Sequence, residues 1–284
     1  MSLELETLEL KASYMLTLIP TPIGNLFDIT FRTLEALKET RLILCEDTRV
    51  TKHLLSLLKQ RFNLELSNFD IYSFHEHNGK ERIEFLKERI KSENLVYMSD
   101  AGMPVISDPG QLLVEFCQEN GIEYDILPGA SAVPLIYAAS GFSSGKFYFH
   151  GFLPNRGKER SSDLAKVMSL GIDTVLYEAP HRILKLIEEI ANRDENREIF
   201  AAKELTKRYQ KYYRYRAKEL LEILQKESIK GEWAVVIAAK SVEEPSLTLQ
   251  ELLNTDMPPK VKAKLMAKLT QKPVKECYAS LQRK

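Results

Sequence analysis

Short apolar runs alternate with amphipathic stretches through the first half of the chain. "YMLTLIP" is the first run, and it breaks at the Pro-x-Gly-Asn turn in "TPIGN". "ITFRTLEALKET" follows, with Ile29, Leu34 and Leu37 at roughly helical spacing and Asp28 as the predicted cap. The succession then repeats: "RLILCED" with "TRVTKHLLSLLKQ", "FDIYSFHEHN" with "GKERIEFLKERIK" capped by Asn78, "NLVYMSD" with "GQLLVEFCQEN", and "IEYDILPG" with "ASAVPLIYAASG". Strands alternating with helices predict a parallel sheet with helices on both faces, closing near Gly141.

The second half has another rhythm. "KFYFHGFL", "DTVLYEA" and "EWAVVIAA" read as strands, and "REIFAAKEL" with "YQKYYRYRA" as a hairpin. Helical patterns lie between them, one led by Pro180. The expected organisation is a leader at 1–14, a parallel-sheet α/β domain at 15–141, a mixed-sheet α/β domain at 142–242, and a linker with a small basic helical tail at 243–284.

Composition narrows the function classes. Lysine plus arginine equals aspartate plus glutamate, so net charge is zero and any nucleic-acid contact must use local patches. Cys45, Cys117 and Cys277 are far apart with no CxxC spacing, which reads as reduced thiols in a cytoplasmic protein. No apolar run reaches membrane-spanning length, and the acidic N-terminus is not a signal peptide.

Parallel sheets bind ligands beyond the carboxyl ends of their strands. Those ends read "TPIGN", "CEDTR", "SFHEHN", "SDAGMPVISDPG" and "LPGASA", all unusually polar. The first lacks GxGxxG, so a Rossmann dinucleotide site is not expected. His75 and His77 are a single pair and do not close a metal site without further ligands, so no metal is expected. Glycine, proline and asparagine there also suit plain turns, but "EDTR" and "HEHN" carry ionisable groups no turn requires.

Together, "TPIGNLFDIT", "EDTR", "SFHEHN", "SDAGMPVISDPG", "PGASA", "GFLP", "YEAPHR" and "KELTK" resemble the bacterial ribose 2′-O-methyltransferases that act on a decoding-centre cytidine of 16S ribosomal RNA. The resemblance runs in order from about Leu16 to Ala239. It departs at Met103 and Val105, where Thr and Gly are common, and at Ala179, where Ser is common. It implies the tetrapyrrole-methylase fold, two α/β domains with S-adenosylmethionine in the cleft between them. It also implies a homodimer whose substrate is 16S ribosomal RNA in the small ribosomal subunit, away from membranes.

On that resemblance, Pro22, Asp100, Ala101, Gly102, Met103, Ile106, Ser131, Ala132, Tyr177 and Glu178 are the cofactor candidates. Gly102 lets backbone approach closely, and the helix start after Ser131 favours an anion. Asp108 reads as a helix cap. The ribose hydroxyl needs a base, and Glu46, Asp47, His75, Glu76, His77 and Glu204 all qualify. Lys203 beside Glu204 can orient the hydroxyl, and Glu76 and Lys203 rank first on motif position alone. Arg32, Asp47, Arg49, His77, Asn78, Arg182 and Lys207 are RNA candidates, with Arg160 and the tyrosines Tyr212, Tyr213 and Tyr215 as further ones. Two other readings stand beside this one. A tetrapyrrole methyltransferase would carry a Gly-Pro-Gly-Asp turn that is missing here, and a non-catalytic ribosome-assembly factor would not need the cofactor loops.

Overall fold

The structure is a computed structural model that describes residues 15–106, 108–142, 145–240, 249–270 and 272–282. The expected leader, the linker around Pro245 and the terminal Arg283 and Lys284 lie outside the described residues. The described residues form two compact units, one ending at Lys240 and one following it.

In the first unit, β1 (Leu16–Ile19), β2 (Leu42–Cys45), β3 (Asp70–Ser73), β4 (Leu95–Met98) and β5 (Tyr124–Ile126) form a wholly parallel sheet in the order β3-β2-β4-β1-β5. Residues alternate between the faces, so each strand feeds two cores. Ile19, Ile43, Val96 and Met98 pack under α1 (Phe31–Glu39) and α2 (Thr48–Phe62). Leu18, Leu44, Leu95 and Tyr97 pack under α3 (Gly79–Ser92) and α4 (Gln111–Asn120). The continuous apolar runs are what burial on both faces requires.

Helix starts depart from expectation at three places, one of them α4, whose N-cap is Gly110 and not Asp108. Thr30, not Asp28, caps α1 by accepting from Thr33 N, because Asp28 closes a preceding 3₁₀ turn that Asn25 caps. Asn78 precedes α3 but makes no side-chain cap; its Oδ1 instead accepts from His75 N at 2.8 Å and its Nδ2 donates to Ser73 O at 3.2 Å. Strand β3 therefore ends at Ser73, and His75 and His77 sit in a turn, not in a strand, with their rings 6.1 Å apart.

The second sheet follows in the order β6 (Phe147–Phe152), β7 (Asp173–Glu178), β10 (Trp233–Ile237), β8 (Glu198–Lys203) and β9 (Lys211–Arg216). Only β6 and β7 pair in parallel, and β8 with β9 form the expected hairpin. One face packs on α6 (Gly157–Ser169), α7 (Ile183–Ala191) and α8 (Ala217–Leu224). The other face carries Val175, Phe200 and Val236, and it is covered by α5 (Ala132–Ser140) through Val133 and Ile136. The helix after β5 thus packs on the second sheet and ties the two sheets into one unit.

The second unit has α9 (Leu249–Asn254), α10 (Pro259–Thr270) and α11 (Val274–Gln282) around Leu252, Ala263, Met266 and Cys277. That is a small core of its own. Lys262 is engaged there, donating to the carbonyls of Leu253 and Thr255. No helix among the described residues is long and apolar enough to cross a membrane.

Candidate active site

β4 lies between β1 and β2, so the loops after these strands meet at one edge of the first sheet. The loop Ser99–Gly110 is held there by backbone. Thr21 and Gly102 exchange N–H···O bonds of 3.0 Å, which requires Gly102 at φ +87°. Ser99 Oγ donates to Gly102 O, and Thr21 Oγ1 donates to Ser99 O. Asp108 closes the far end: it accepts from Val105 N at 2.7 Å, Gly110 N at 2.9 Å and the Tyr97 hydroxyl at 2.8 Å. Val105 is thereby held at φ +73°, a region costly for a β-branched side chain.

A cavity of about 490 Å³ opens on this loop. On one side lie Asp100, Ala101, Gly102, Met103 and Ile106, with Ser131 and Ala132 at the start of α5. On the other lie Phe152, Tyr177 to Pro180, Trp233 and Ala234 from the second sheet. The register explains that second wall: β10 runs antiparallel to β7 and β8, so Trp233 pairs with both Glu178 and Lys203. Gly24 shows how closely the halves approach, since a Cβ there would lie 2.4 Å from Lys207 Cγ.

A second cavity of about 590 Å³ adjoins the first, lined by His75, Glu76, His77 and Gln111 together with Glu46, Ile106 and Asp108, which line both. Glu46 Oε1 accepts from Asp100 N at 2.9 Å, and Asp100 Oδ1 accepts from Asp47 N at 3.1 Å, stapling the ends of β2 and β4. Burial raises the Glu46 carboxyl above its ordinary value, against the Asp100 N–H bond that lowers it, and the charges of Asp100 and Asp108 raise it further. Burial also raises Asp100. Asp47 goes the other way, to about 2, because Arg49 hydrogen-bonds it. Apolar walls with carboxylates at one end suit a ligand that carries a flat ring and a cationic centre.

Residues 15–221 match the sequence profile of the tetrapyrrole (corrin/porphyrin) methylases. A ribosomal RNA small subunit methyltransferase I of Helicobacter pylori is 42% identical over 277 residues, spanning 93% of this chain and 96% of that protein. A protein of the same name from Thermotoga maritima is 43% identical over 226 residues, 79% of this chain and 98% of that protein. This chain belongs to the ribosomal RNA small subunit methyltransferase I family. It is a methyltransferase with the tetrapyrrole-methylase fold. A crystal structure of a cobalt precorrin-4 methyltransferase shares that fold with a TM-score of 0.58 over 79% of this chain and 94% of its own, at 17% identity.

The family's motifs fall unevenly around the cavities. All the cofactor candidates line the first cavity except Pro22, although its neighbour Ile23 does. Glu178 is there as a buried anion, 3.0 Å from Arg160 Nη2 and 2.6 Å from Arg182 Nε. Burial pushes the Tyr177 phenol up to about 12. His75, Glu76 and His77 line the second cavity. Lys203 and Glu204 line neither. Lys203 Nζ lies over the Trp233 ring and donates to Ser228 O. Glu204 accepts from Glu232 N and pairs with Lys207, and these contacts, the N–H first, lower its carboxyl.

The RNA candidates are mostly engaged in ion pairs. Arg32 pairs with Asp125, Arg182 with Glu178, and Lys207 with Glu204 and Glu232. Arg160 is 1% exposed and Tyr213 is packed on Trp233, so neither is a surface contact. Arg49 stays largely exposed while chelating Asp47, which also caps α2. Among the described residues no group of three or more His, Cys, Asp or Glu side chains is placed to hold a metal. Sequence reasoning passed over Phe152, Trp233 and Ala234. Trp233 is the chain's only tryptophan, yet it lies at a strand start, where the carboxyl-end rule does not look.

Proposed function

We propose that the protein transfers a methyl group from S-adenosylmethionine to the ribose 2′-hydroxyl of a cytidine in the decoding centre of 16S ribosomal RNA. The near full-length identity to proteins named ribosomal RNA small subunit methyltransferase I carries this reading. S-adenosylmethionine supplies a methyl group activated on a sulfonium, and the first cavity suits it. Gly102, whose added Cβ would lie 3.1 Å from Ile23 Cγ2, keeps the loop close-packed beneath the cavity floor. Met103, Ile106, Phe152 and Trp233 give apolar walls for the adenosyl group, and Asp100 and Glu46 give the negative charge that a sulfonium and an amine favour. Ser131 precedes α5 without capping it, which leaves that hydroxyl and the helix start to receive a carboxylate.

The residues position and the sheets exclude water; in-line methyl transfer needs little else beyond a proton acceptor. The proposal includes cytoplasmic action on the small subunit, a homodimer, and RNA contact through Arg49 and the exposed Tyr212 and Tyr215. The test uses small subunits from cells that lack this activity, with labelled S-adenosylmethionine and the purified chain. Label in a ribose-methylated cytidine of the decoding centre is expected. Label in a base, or none in RNA, would contradict the reading.

A further inference from the structure

The geometry points to Glu46 as the general base of the reaction and to the second cavity, lined by His75, Glu76, His77 and Gln111, as the seat of the acceptor nucleoside. This inference rests on the methyltransferase reading above. Transfer between two bound groups needs two adjoining cavities and a proton acceptor where they meet. Three side chains line both cavities: Glu46, Ile106 and Asp108. Ile106 has no proton chemistry. Asp108 is committed to the loop, accepting from Tyr97, Val105 and Gly110. Among the described residues only Asp100 N donates to Glu46, and it does so at Oε1. Oε2 remains to accept from a hydroxyl.

The other acids fit less well. Asp100 lines only the first cavity and accepts from Asp47 N. Glu204 lies outside both cavities and holds the turn at Glu232. Asp47 is held by Arg49 as a strongly acidic carboxylate, a poor base. Glu46 is raised by burial, which makes it a better one. The second cavity has acids and imidazoles but no lysine or arginine in its lining. That lining suits the hydroxyls and edges of a base and sugar and disfavours phosphate, so the RNA backbone must run outside it. In the step itself, the ribose oxygen forms a bond to the methyl carbon as the carbon–sulfur bond breaks. The bonding pair goes to sulfur, and the hydroxyl proton goes to Glu46 Oε2.

The charges of Asp100 after β4 and Asp108 in the β4 loop act on Glu46, and the other titratable groups around it are Asp47 at the start of α2 and His75, Glu76 and His77 before α3. The test is Glu46→Gln, whose amide oxygen still accepts from Asp100 N, with Glu46→Asp as a second variant. Methylation of small subunits is measured across pH, with cofactor affinity by calorimetry and melting temperature on the free protein. For Gln we expect about a hundredfold or greater loss in rate, typical for a general base, with cofactor affinity within about tenfold of wild type. The wild-type rate should fall as pH drops through the raised Glu46 value, and the residual Gln rate should lack that limb. Asp should recover part of the rate.

Melting temperature separates a catalytic from a structural role. A carboxyl raised in the folded state stabilises below its unfolded value, and that contribution is lost as pH rises through the folded value. Gln should therefore equal wild type at low pH and melt higher at neutral pH. A carboxylate retained for structure predicts the reverse. A Gln variant that keeps the wild-type rate, or melts lower at neutral pH, overturns the proposal. Wild-type protein that methylates no RNA overturns the underlying reading instead.

Discussion

The two walls of the first cavity, the one that opens on the Ser99–Gly110 loop, are built by different means. The wall from the parallel sheet is loop, held by backbone bonds such as Thr21 with Gly102 and by Asp108 accepting from Val105 and Gly110. The wall from the mixed sheet is strand, fixed by cross-strand register at Trp233 and by the buried charges of Glu178, Arg160 and Arg182. Turn chemistry leaves its mark in glycines, prolines and short polar residues, so the first wall shows in a sequence. Register leaves none, so beyond Tyr177 and Glu178 at the end of β7, the second wall's Phe152, Trp233 and Ala234 show only in three dimensions.

Breaking the second wall's support has the largest expected effect. Arg160→Met leaves the buried Glu178 with Arg182 alone, and denaturant melts should show a loss of about 3 kcal/mol. A loss under about 1 kcal/mol would mean that register alone holds this wall. Gly102→Val comes next, acting on the first wall. A branched residue at φ +87° strains the loop, and its Cβ would press on Ile23 Cγ2 at 3.1 Å. Cofactor affinity should fall about a hundredfold by calorimetry, from strain and misplacement of Met103 and Asp100 together. Trp233→Leu removes part of the strand-built wall while leaving an apolar core residue, and about a tenfold loss of affinity is expected. Were Gly102→Val and Trp233→Leu equal in effect, the difference between the walls would be one of construction only.

The smallest effect is at the rim. By NMR titration, Arg49→Ala should raise the Asp47 carboxyl from about 2 only part-way toward the ordinary aspartate range, since the backbone N–H of residue 49 still donates to it. The sign follows from the depressed value: this pair stabilises above the ordinary aspartate range and stops doing so as pH falls through about 2. Arg49 is exposed and Asp47 half-exposed, so melting at neutral pH should move little.

What the sequence disclosed follows the same division. The alternation of apolar runs and amphipathic stretches located the strands of both sheets, most clearly β1, β2 and β4, where burial on two faces demands continuous apolar runs. The helix after β5 was legible as a helix, but not its partner: α5 serves the second sheet, since small residues such as Ala132 and Ala139 let it fit against Val236 and Ala234. Glu46 was legible only as one acid among several in the polar strand ends. Its standing at the junction of two cavities depends on β2 lying beside β4, a neighbour fifty residues away. Arg160 read as a surface cation and is buried, because Glu178 and Glu189 wait for it on β7 and α7.

The central claim is that both walls hold one molecule of S-adenosylmethionine. Ultraviolet crosslinking of the radiolabelled compound to the whole chain, followed by peptide mapping, tests it most directly. Label is predicted both in a peptide containing Met103 and Ile106 and in one containing Tyr177 or Trp233. Label confined to one wall, or falling on peptides that line neither, would contradict the account.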